Sequence, residues 1–131
     1  MKKLILLPLF LLLITKTYAQ TPMEIHQRAV LVDTHNDILS NELITHLDIG
    51  QRQTTGNFDL VRAKEGGLKA QVFSIWCGED YGKGTAFAFA NREIDSLYAL
   101  IARYPEKITL VRNSKELEKA VNQKKMAAFL A

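Results

Sequence analysis

The sequence predicts an α/β fold built on a parallel β-sheet. Short apolar stretches rich in β-branched and aromatic residues alternate with segments of helical periodicity, which is the order typical of βαβ units. The composition is that of a globular protein, with 47% hydrophobic and 24% charged residues. Connections of this length suit either an open doubly wound sheet or a (β/α) barrel. A barrel needs about 250 residues, so this chain would supply about half of one.

The first 19 residues have the three regions of a secretory signal peptide. A basic start, Met1-Lys2-Lys3, precedes an apolar run from Leu4 to Ile14, and Thr17-Tyr18-Ala19 ends in the small residue that signal peptidase prefers. The run is too short to span a bilayer as an anchor. We therefore expect cleavage near Ala19, export to the periplasm or the medium, no integral membrane span, and a folded domain over residues 20–131.

Charge and cysteine content exclude two classes of function. Removing Lys2, Lys3 and Lys16 with the leader lowers the 17 basic residues to 14, which equals the 14 acidic ones. The remaining chain is neutral and has no basic stretch interleaved with aromatic residues, so we expect no nucleic-acid partner. Cys77 is the single cysteine and forms no disulfide within the chain, and no nearby histidine in the sequence would activate it as a nucleophile.

Caps and periodicity predict the individual helices and strands. The helices are expected at Thr21 to Arg28 (a capping box with Pro22 and Glu24), at 60–65 behind the cap Asp59, at 85–104, and after a cap at Asn113 or Ser114. The strands are expected at 29–37, 69–76, 108–111 and 125–131.

The helix over residues 85–104 has the clearest periodicity, and its apolar stripe is expected to be core. Its charged residues, Glu93 among them, are expected to fall elsewhere. The stripe comprises Phe87, Ala90, Ile94, Leu97, Tyr98 and Ile101.

The first strand ends in residues that commonly bind metals. His35 and Asp37 are two apart, so on a regular strand they face the same side, and together they would form half of a divalent-metal site. A plain strand-to-loop turn is the alternative, because His, Asn and Asp are also ordinary turn residues. Asp33 would share that side and would either orient His35 or bond to backbone. The polar loop that follows, over residues 38–57, is either a wall of the site or a mobile surface loop, and it carries His46 as a further possible ligand.

Three blocks of sequence, in order, resemble the membrane (renal) dipeptidase family of zinc metallopeptidases. The motif VDTHND is similar to the family's opening metal motif, and FDLVRAKEGGLKAQVFSIW is similar to the segment that forms its second strand. The stretch IARYPEKITLV and the following KELEKAVNQKKMAAFLA resemble the approach to its fourth strand. The resemblance covers essentially the whole chain after the leader.

The resemblance implies a metal-dependent (β/α) barrel of the TIM type, incomplete in this chain. It implies two zinc ions that share a bridging glutamate, with His35 and Asp37 holding one ion and two later histidines holding the other. It further implies that a metal-bound hydroxide hydrolyses the peptide bond of dipeptides. In the family the glutamate follows the fourth strand directly, so this ligand and both later histidines would lie beyond Ala131.

We therefore expect a dipeptidase of which this chain is the N-terminal part, without catalytic residues of its own beyond the two ligands and inactive by itself. The second enzyme hypothesis is another barrel metallohydrolase of the amidohydrolase type. That group usually opens with His-x-His, and Asp37 in place of the second histidine argues against it. The third hypothesis is a non-catalytic exported α/β module in which His35 and Asp37 only build a turn.

Overall fold

The computed structural model describes residues 19–40, 47–77 and 84–131. The leader expected at 1–19 falls, apart from Ala19, outside the described residues, and so does His46. Four helices and four strands alternate in the described part. They are α1 (Pro22–Arg28), β1 (Leu31–Asn36), α2 (Leu60–Glu65), β2 (Leu68–Phe73), α3 (Ala86–Arg103), β3 (Ile108–Leu110), α4 (Ser114–Asn122) and β4 (Met126–Leu130).

The four strands form one parallel sheet, as predicted. Their order is β1-β2-β4-β3, so β4 lies between β2 and the shorter β3. The central pair is regular, with Ala70 opposite Ala127 and Phe73 opposite Leu130. Strand β3 pairs only with the first three residues of β4. The chain thus reaches the middle of the sheet last, and β2 and β4 have strand neighbours on both sides.

Side-chain caps start three of the helices at the positions that the sequence predicts. The Thr21 hydroxyl accepts from the Glu24 N–H, and Glu24 bonds back to the Thr21 N–H at 2.7 Å, which is a complete capping box. Asp59 caps α2. Of the two candidates at α4, Asn113 is the cap, because its side chain accepts from the Glu116 N–H.

The sheet has a hydrophobic cluster on each face. Ala127 and Ala128 are consecutive on β4 and therefore point to opposite faces. Ala128 packs with Phe73 and with Leu97 of α3 in the larger cluster. Ala127 packs with Ala70 and with Ala120 of α4 in the smaller one. Helices α3 and α4 therefore cover opposite faces of the sheet.

The buried face of α3 differs from the predicted one. Phe87 and Tyr98 were expected in the core, but 81% of Phe87 is exposed and Tyr98 is exposed as well. The buried residues are Phe89, Glu93, Leu97 and Leu100. Their spacing of four, four and three residues is also helical, so the sequence offered two overlapping stripes. The prediction was right for Leu97, which both stripes share, and for Ile101, which packs against the larger cluster, but it wrongly placed Glu93 outside the core.

Helix α1 lies on the surface and buries none of its residues. Its link to the rest of the fold is His26, whose Nε2 lies 2.9 Å from the carbonyl oxygen of Gly66 at the end of α2. Within the described part of the chain, no helix combines the length and the hydropathy needed to cross a membrane.

The carboxyl ends of β1, β2 and β4 lie side by side at one end of the sheet. The Ser74 N–H donates to the Asn36 carbonyl at 2.9 Å, which joins the ends of β1 and β2. The Ala131 N–H donates to the Phe73 carbonyl at 3.1 Å, which joins the ends of β2 and β4. In (β/α) folds, ligands bind at the carboxyl ends of the strands.

Candidate metal centre

Strand β1 ends in a turn that is built around Asn36. Its side-chain oxygen accepts from the Ile38 N–H at 3.0 Å, which turns the chain just after the strand. The Ser40 N–H and hydroxyl both donate to the Asp37 carbonyl, at 3.1 and 2.7 Å. The backbone on both sides of Asp37 is therefore fixed by hydrogen bonds.

The buried side chain of Gln71, on β2, ties this turn to the sheet. The Asn36 amide nitrogen lies 3.4 Å from the Gln71 side-chain oxygen. The Gln71 amide nitrogen in turn lies 3.4 Å from the Asp33 carbonyl and 3.0 Å from the Val72 carbonyl. Sequence reasoning missed both Asn36 and Gln71 as supports of the site. The signal in the sequence that could have found Gln71 is its place between the apolar residues Ala70 and Val72 of a predicted strand.

His35 and Asp37 converge at the end of β1. The ring nitrogen Nε2 of His35 lies 3.2 Å from Oδ1 of Asp37, and their side chains are 70% and 45% exposed. Although the Asp37 side chain as a whole is half exposed, its Oδ1 atom is buried, and the ring nitrogen of His35 is the polar atom that the described residues bring against it. Both side chains therefore face the same solvent-accessible point at the end of β1.

This pair fits a divalent metal ion. Ligand atoms held about 2.0–2.2 Å from one ion at tetrahedral angles are about 3.3–3.6 Å apart, which is close to the observed spacing. An imidazole nitrogen and a carboxylate oxygen are ligands that zinc accepts. Among residues 19–40, 47–77 and 84–131, no group of three or more potential ligands is present. The described residues thus supply two candidate ligands.

The side chain of Asp33 bonds to the backbone of the strand. Its Oδ1 accepts from the His35 N–H at 3.1 Å. This contact is with the backbone N–H of His35 and not with its imidazole ring. The pairing of β1 with β2 shifts between Asp33 and Asn36, so the regular alternation on which the Asp33 prediction depended is interrupted there. A role for Asp33 in orienting the ring remains a prediction.

A third acidic residue, which sequence reasoning did not select, lies near this pair. Glu93 on α3 is completely buried, and within residues 19–40, 47–77 and 84–131 its carboxyl oxygens make no hydrogen bond of normal geometry. Burial raises its pKa to about 7, the Trp76 backbone opposes that shift, and the negative charge of Asp37 adds to it. Trp76 follows β2, so the Glu93 carboxyl lies toward the carboxyl end of that strand.

Cys77 is separate from this pair. Its Sγ lies 3.3 Å from the Ala86 carbonyl at the start of α3, and it is a free thiol.

A comparison with known families matches the chain from residue 19 to residue 131 with the profile of the membrane dipeptidases, peptidase family M19. This chain belongs to the membrane dipeptidase family. His35, Asp37, Asn36, Gln71 and Glu93 all lie within the matched range. No curated protein sequence matches the chain significantly.

Three solved structures share the fold. The probable dipeptidase PvdM from Pseudomonas aeruginosa is 18% identical, with a TM-score of 0.71, and the match covers 83% of this chain and 29% of that one. The dipeptidase AC, a metallo peptidase of family M19, is 19% identical, with a TM-score of 0.68, over 77% of this chain and 34% of that one. At this level of identity the likeness shows the fold.

The third structure is a metallo peptidase from Rhodobacter sphaeroides, liganded with a phosphinate mimic of the dipeptide L-Ala-D-Ala. It is 17% identical, with a TM-score of 0.66, over 77% of this chain and 37% of that one. The membrane dipeptidase chain described here thus spans between 29% and 37% of the three structures. The parallel sheet and these matches confirm the predicted fold class, the first part of a dipeptidase barrel.

Proposed function

We propose that this chain is the N-terminal part of a zinc-dependent dipeptidase and that His35 and Asp37 hold one of its metal ions. The observation that supports this most strongly is the convergence of the two side chains, 3.2 Å apart, at the carboxyl end of β1 in a membrane dipeptidase chain. The turn adds to it, because hydrogen bonds to the Asn36 side chain and to the Asp37 carbonyl fix the backbone on both sides of Asp37.

The proposed substrates are dipeptides, as the phosphinate mimic bound to the Rhodobacter sphaeroides peptidase suggests. Zinc, when bound, would act as a Lewis acid and lower the pKa of water toward neutrality. His35 would supply a neutral nitrogen, and Asp37 would supply a negatively charged oxygen that offsets part of the ion's charge. The turn built by Asn36 and Gln71 would keep both at the required spacing. A second zinc ion, a bridging glutamate and two later histidines beyond Ala131 belong to this proposal.

Zinc content and dipeptide hydrolysis, measured on the complete protein, test the proposal. We expect about two zinc ions per chain, and loss of activity in His35→Ala and in Asp37→Ala, because each variant removes a ligand. His26→Ala is the matched control, since His26 is an exposed histidine that contacts Gly66 on α2. Full activity in both site variants would mean that His35 and Asp37 only build a turn and hold no catalytic ion. Wild-type protein with neither zinc nor dipeptide hydrolysis would favour the non-catalytic module.

We further propose that the protein is exported after cleavage near Ala19. The support is the sequence alone, a basic start followed by an apolar run and a small residue. Sequencing of the N-terminus of the protein purified from its native host should find Gln20 first. A mature N-terminus at Met1 or Lys2 would contradict export by this route.

A further inference from the structure

A cavity of about 600 Å³ lies at the end of the sheet opposite the candidate metal centre. Leu68, where β2 begins, and Met126, where β4 begins, both line it. His35 and Asp37 stand at the other end of the sheet, where β1 finishes. The six residues of β2 separate the two ends by about 20 Å, so the cavity does not reach that pair. Small-molecule sites in proteins have volumes of about 300–1,000 Å³, and this cavity falls within that range.

The walls of this cavity are apolar. Hydrophobic side chains from α2, from the two strand starts and from the end of α4 line it: Leu60, Val61, Leu68, Val121 and Met126. Leu60 and Met126 are buried members of the larger hydrophobic cluster, so this part of the wall is continuous with the core. A ligand with a hydrocarbon chain would displace water from such walls, whereas a bare inorganic anion would gain nothing from them.

The same cavity has a basic rim. Five lysines of the described chain line it and are called the lysine rim here: Lys64, Lys69, Lys107, Lys124 and Lys125. The acidic residue among the lining side chains, Glu65, is bonded to the Arg52 guanidinium. The ion pairs found within residues 19–40, 47–77 and 84–131 include none of the five lysines. The chain after the leader is neutral overall, so this positive charge is a local feature that attracts anions.

Two lysines of the rim have distinctive positions. The Lys107 ammonium donates to the Gly50 carbonyl at 2.8 Å and lies 4.5 Å from the centre of the Tyr104 ring, so it is held in place by neutral groups. Lys124 follows the end of α4 with φ of 59°, in the left-handed region that favours glycine. The stability of this helix end therefore does not account for a lysine at this position.

We propose that this cavity binds a free carboxylic acid with a medium-length hydrocarbon chain. The chain packs against the apolar walls, and the carboxylate lies among the ammonium groups of the lysine rim. Lysine suits this role because its flexible stem carries a point charge that meets an anion without a fixed geometry. A space of this size suits a single chain better than a lipid with two chains. The site uses no residue of the proposed zinc site, so binding does not depend on metal.

The length and the charge of the ligand test this chemistry. Hexanoate, octanoate and decanoate are titrated into the complete protein by isothermal titration calorimetry. Affinity should rise about fourfold with each added methylene, which is the change that burial of one methylene produces. Decyltrimethylammonium has the same decyl chain with a positive charge and should bind far more weakly, because the lysine rim repels it. Acetate carries the charge without the chain and should show no binding. Removal of zinc by a chelator should leave decanoate binding unchanged.

Lys124→Gly separates binding from folding. It removes one charge of the lysine rim and places glycine where φ is positive. Affinity for decanoate should fall by about 2–5-fold, while the melting temperature should not fall. Lys69→Gln removes a second charge, from β2, and the double variant should lose about 4–25-fold if the two contributions add. Lys115→Gln is the matched control, because Lys115 is an exposed lysine of α4 outside the cavity lining, and it should leave both quantities unchanged.

Three results would overturn the inference. Wild-type protein that does not bind decanoate would show that the lysine stems only cover an apolar wall. Equal affinity for decanoate and decyltrimethylammonium, or equal decanoate affinity in wild type and the double variant, would show that the lysine rim does not select the ligand. Binding to vesicles of an anionic phospholipid without binding to free decanoate would make a membrane surface the partner instead. None of these measurements involves zinc, so their outcome is separate from that of the proposed function.

Discussion

At the scale of single residues, Asp59 connects the loop before α2 to the first turn of that helix. Its carboxylate is buried, accepts from the backbone N–H groups of Arg62 and Gln53 at 2.7 and 3.1 Å, and pairs with the Arg62 guanidinium. Burial alone would raise the pKa of Asp59, but the two N–H donors and the Arg62 charge outweigh it and lower the pKa to about 2. The loop before α2 and its first turn thus depend on one ionised group.

Asp59 should make the protein sensitive to acid. Its folded pKa of about 2 lies below the unfolded value of 3.8, so its contribution is complete above pH 3.8 and is lost as the pH falls toward 2. We expect Asp59→Asn to be less stable by about 2 kcal/mol at pH 6, with the difference shrinking toward pH 2. Urea unfolding of both proteins at pH 6, 4 and 2 measures this. A difference that stays constant over this range would contradict the assignment.

Gly50 is required because the Tyr104 ring occupies the place of its missing side chain. A Cβ at Gly50 would lie 1.9 Å from Cε2 of Tyr104. The ring cannot move away freely, because Gln51 donates to its hydroxyl at 2.9 Å and the Lys107 ammonium lies 4.5 Å from the ring centre. The hydroxyl also donates to Asp48.

We therefore expect Gly50→Ala to destabilise the protein by about 1–3 kcal/mol, as overpacking does in a close-packed interior. Gly66→Ala is the matched control. Its Cβ would meet its nearest neighbour at 3.4 Å, and its backbone is already helical, with φ of −70°. It should change the free energy of unfolding by less than about 1 kcal/mol, or stabilise slightly. Equal losses in the two variants would show that Tyr104 is not the obstacle.

At the scale of the element, α3 shows which of two stripes becomes the buried face. The wholly apolar stripe is not the buried face, because Phe89, Leu97 and Leu100 are the residues that face the rest of the molecule. Glu93 was carried into the interior with them, since it lies four residues after Phe89 and four before Leu97. Periodicity alone does not select between overlapping stripes.

Two phenylalanines of α3, two residues apart, test this assignment. Phe89 is 4% exposed and Phe87 is 81% exposed. Phe89→Ala should lower the free energy of unfolding by about 3–5 kcal/mol, because it leaves a cavity under the helix. Phe87→Ala should stay within about 0.5 kcal/mol of wild type. Thermal unfolding of the two variants compares them directly. A larger loss of stability in Phe87→Ala than in Phe89→Ala would indicate that the predicted face of α3 is the buried one.

At the scale of the whole molecule, the sheet has an exposed edge at β1. Val30, Leu31 and Val32 are all exposed, and no described strand pairs with the outer side of β1. An exposed edge with apolar side chains is a template for pairing with another chain. The candidate metal ligands lie at the end of this same strand, so pairing along the edge would occur next to them.

The 131-residue chain should therefore self-associate in a concentration-dependent manner. Val32→Lys should shift the equilibrium toward monomer, because a charged side chain on an edge strand opposes pairing. Tyr98→Lys replaces an exposed apolar residue on α3 instead and should have no such effect. Sedimentation velocity over a range of concentrations measures both variants. A monomer at every concentration, or an equal effect of the two variants, would exclude the β1 edge as the interface.

The sequence by itself determined the parallel α/β class, the caps at Thr21 and Asp59, and the pairing of His35 with Asp37. Each of these depends on residues that are close in the chain, where spacing fixes geometry. The sequence also indicated the family, because the blocks that resemble it are spread over the whole matched range.

The tertiary structure decided the features that depend on contacts between distant segments. It placed β4 between β2 and β3, and it brought Gln71 under Asn36 and Tyr104 against Gly50. It also buried Glu93 on the inner face of α3, between Phe89 and Leu97. Such contacts are settled by which faces pack together to exclude water, and local periodicity does not encode that choice.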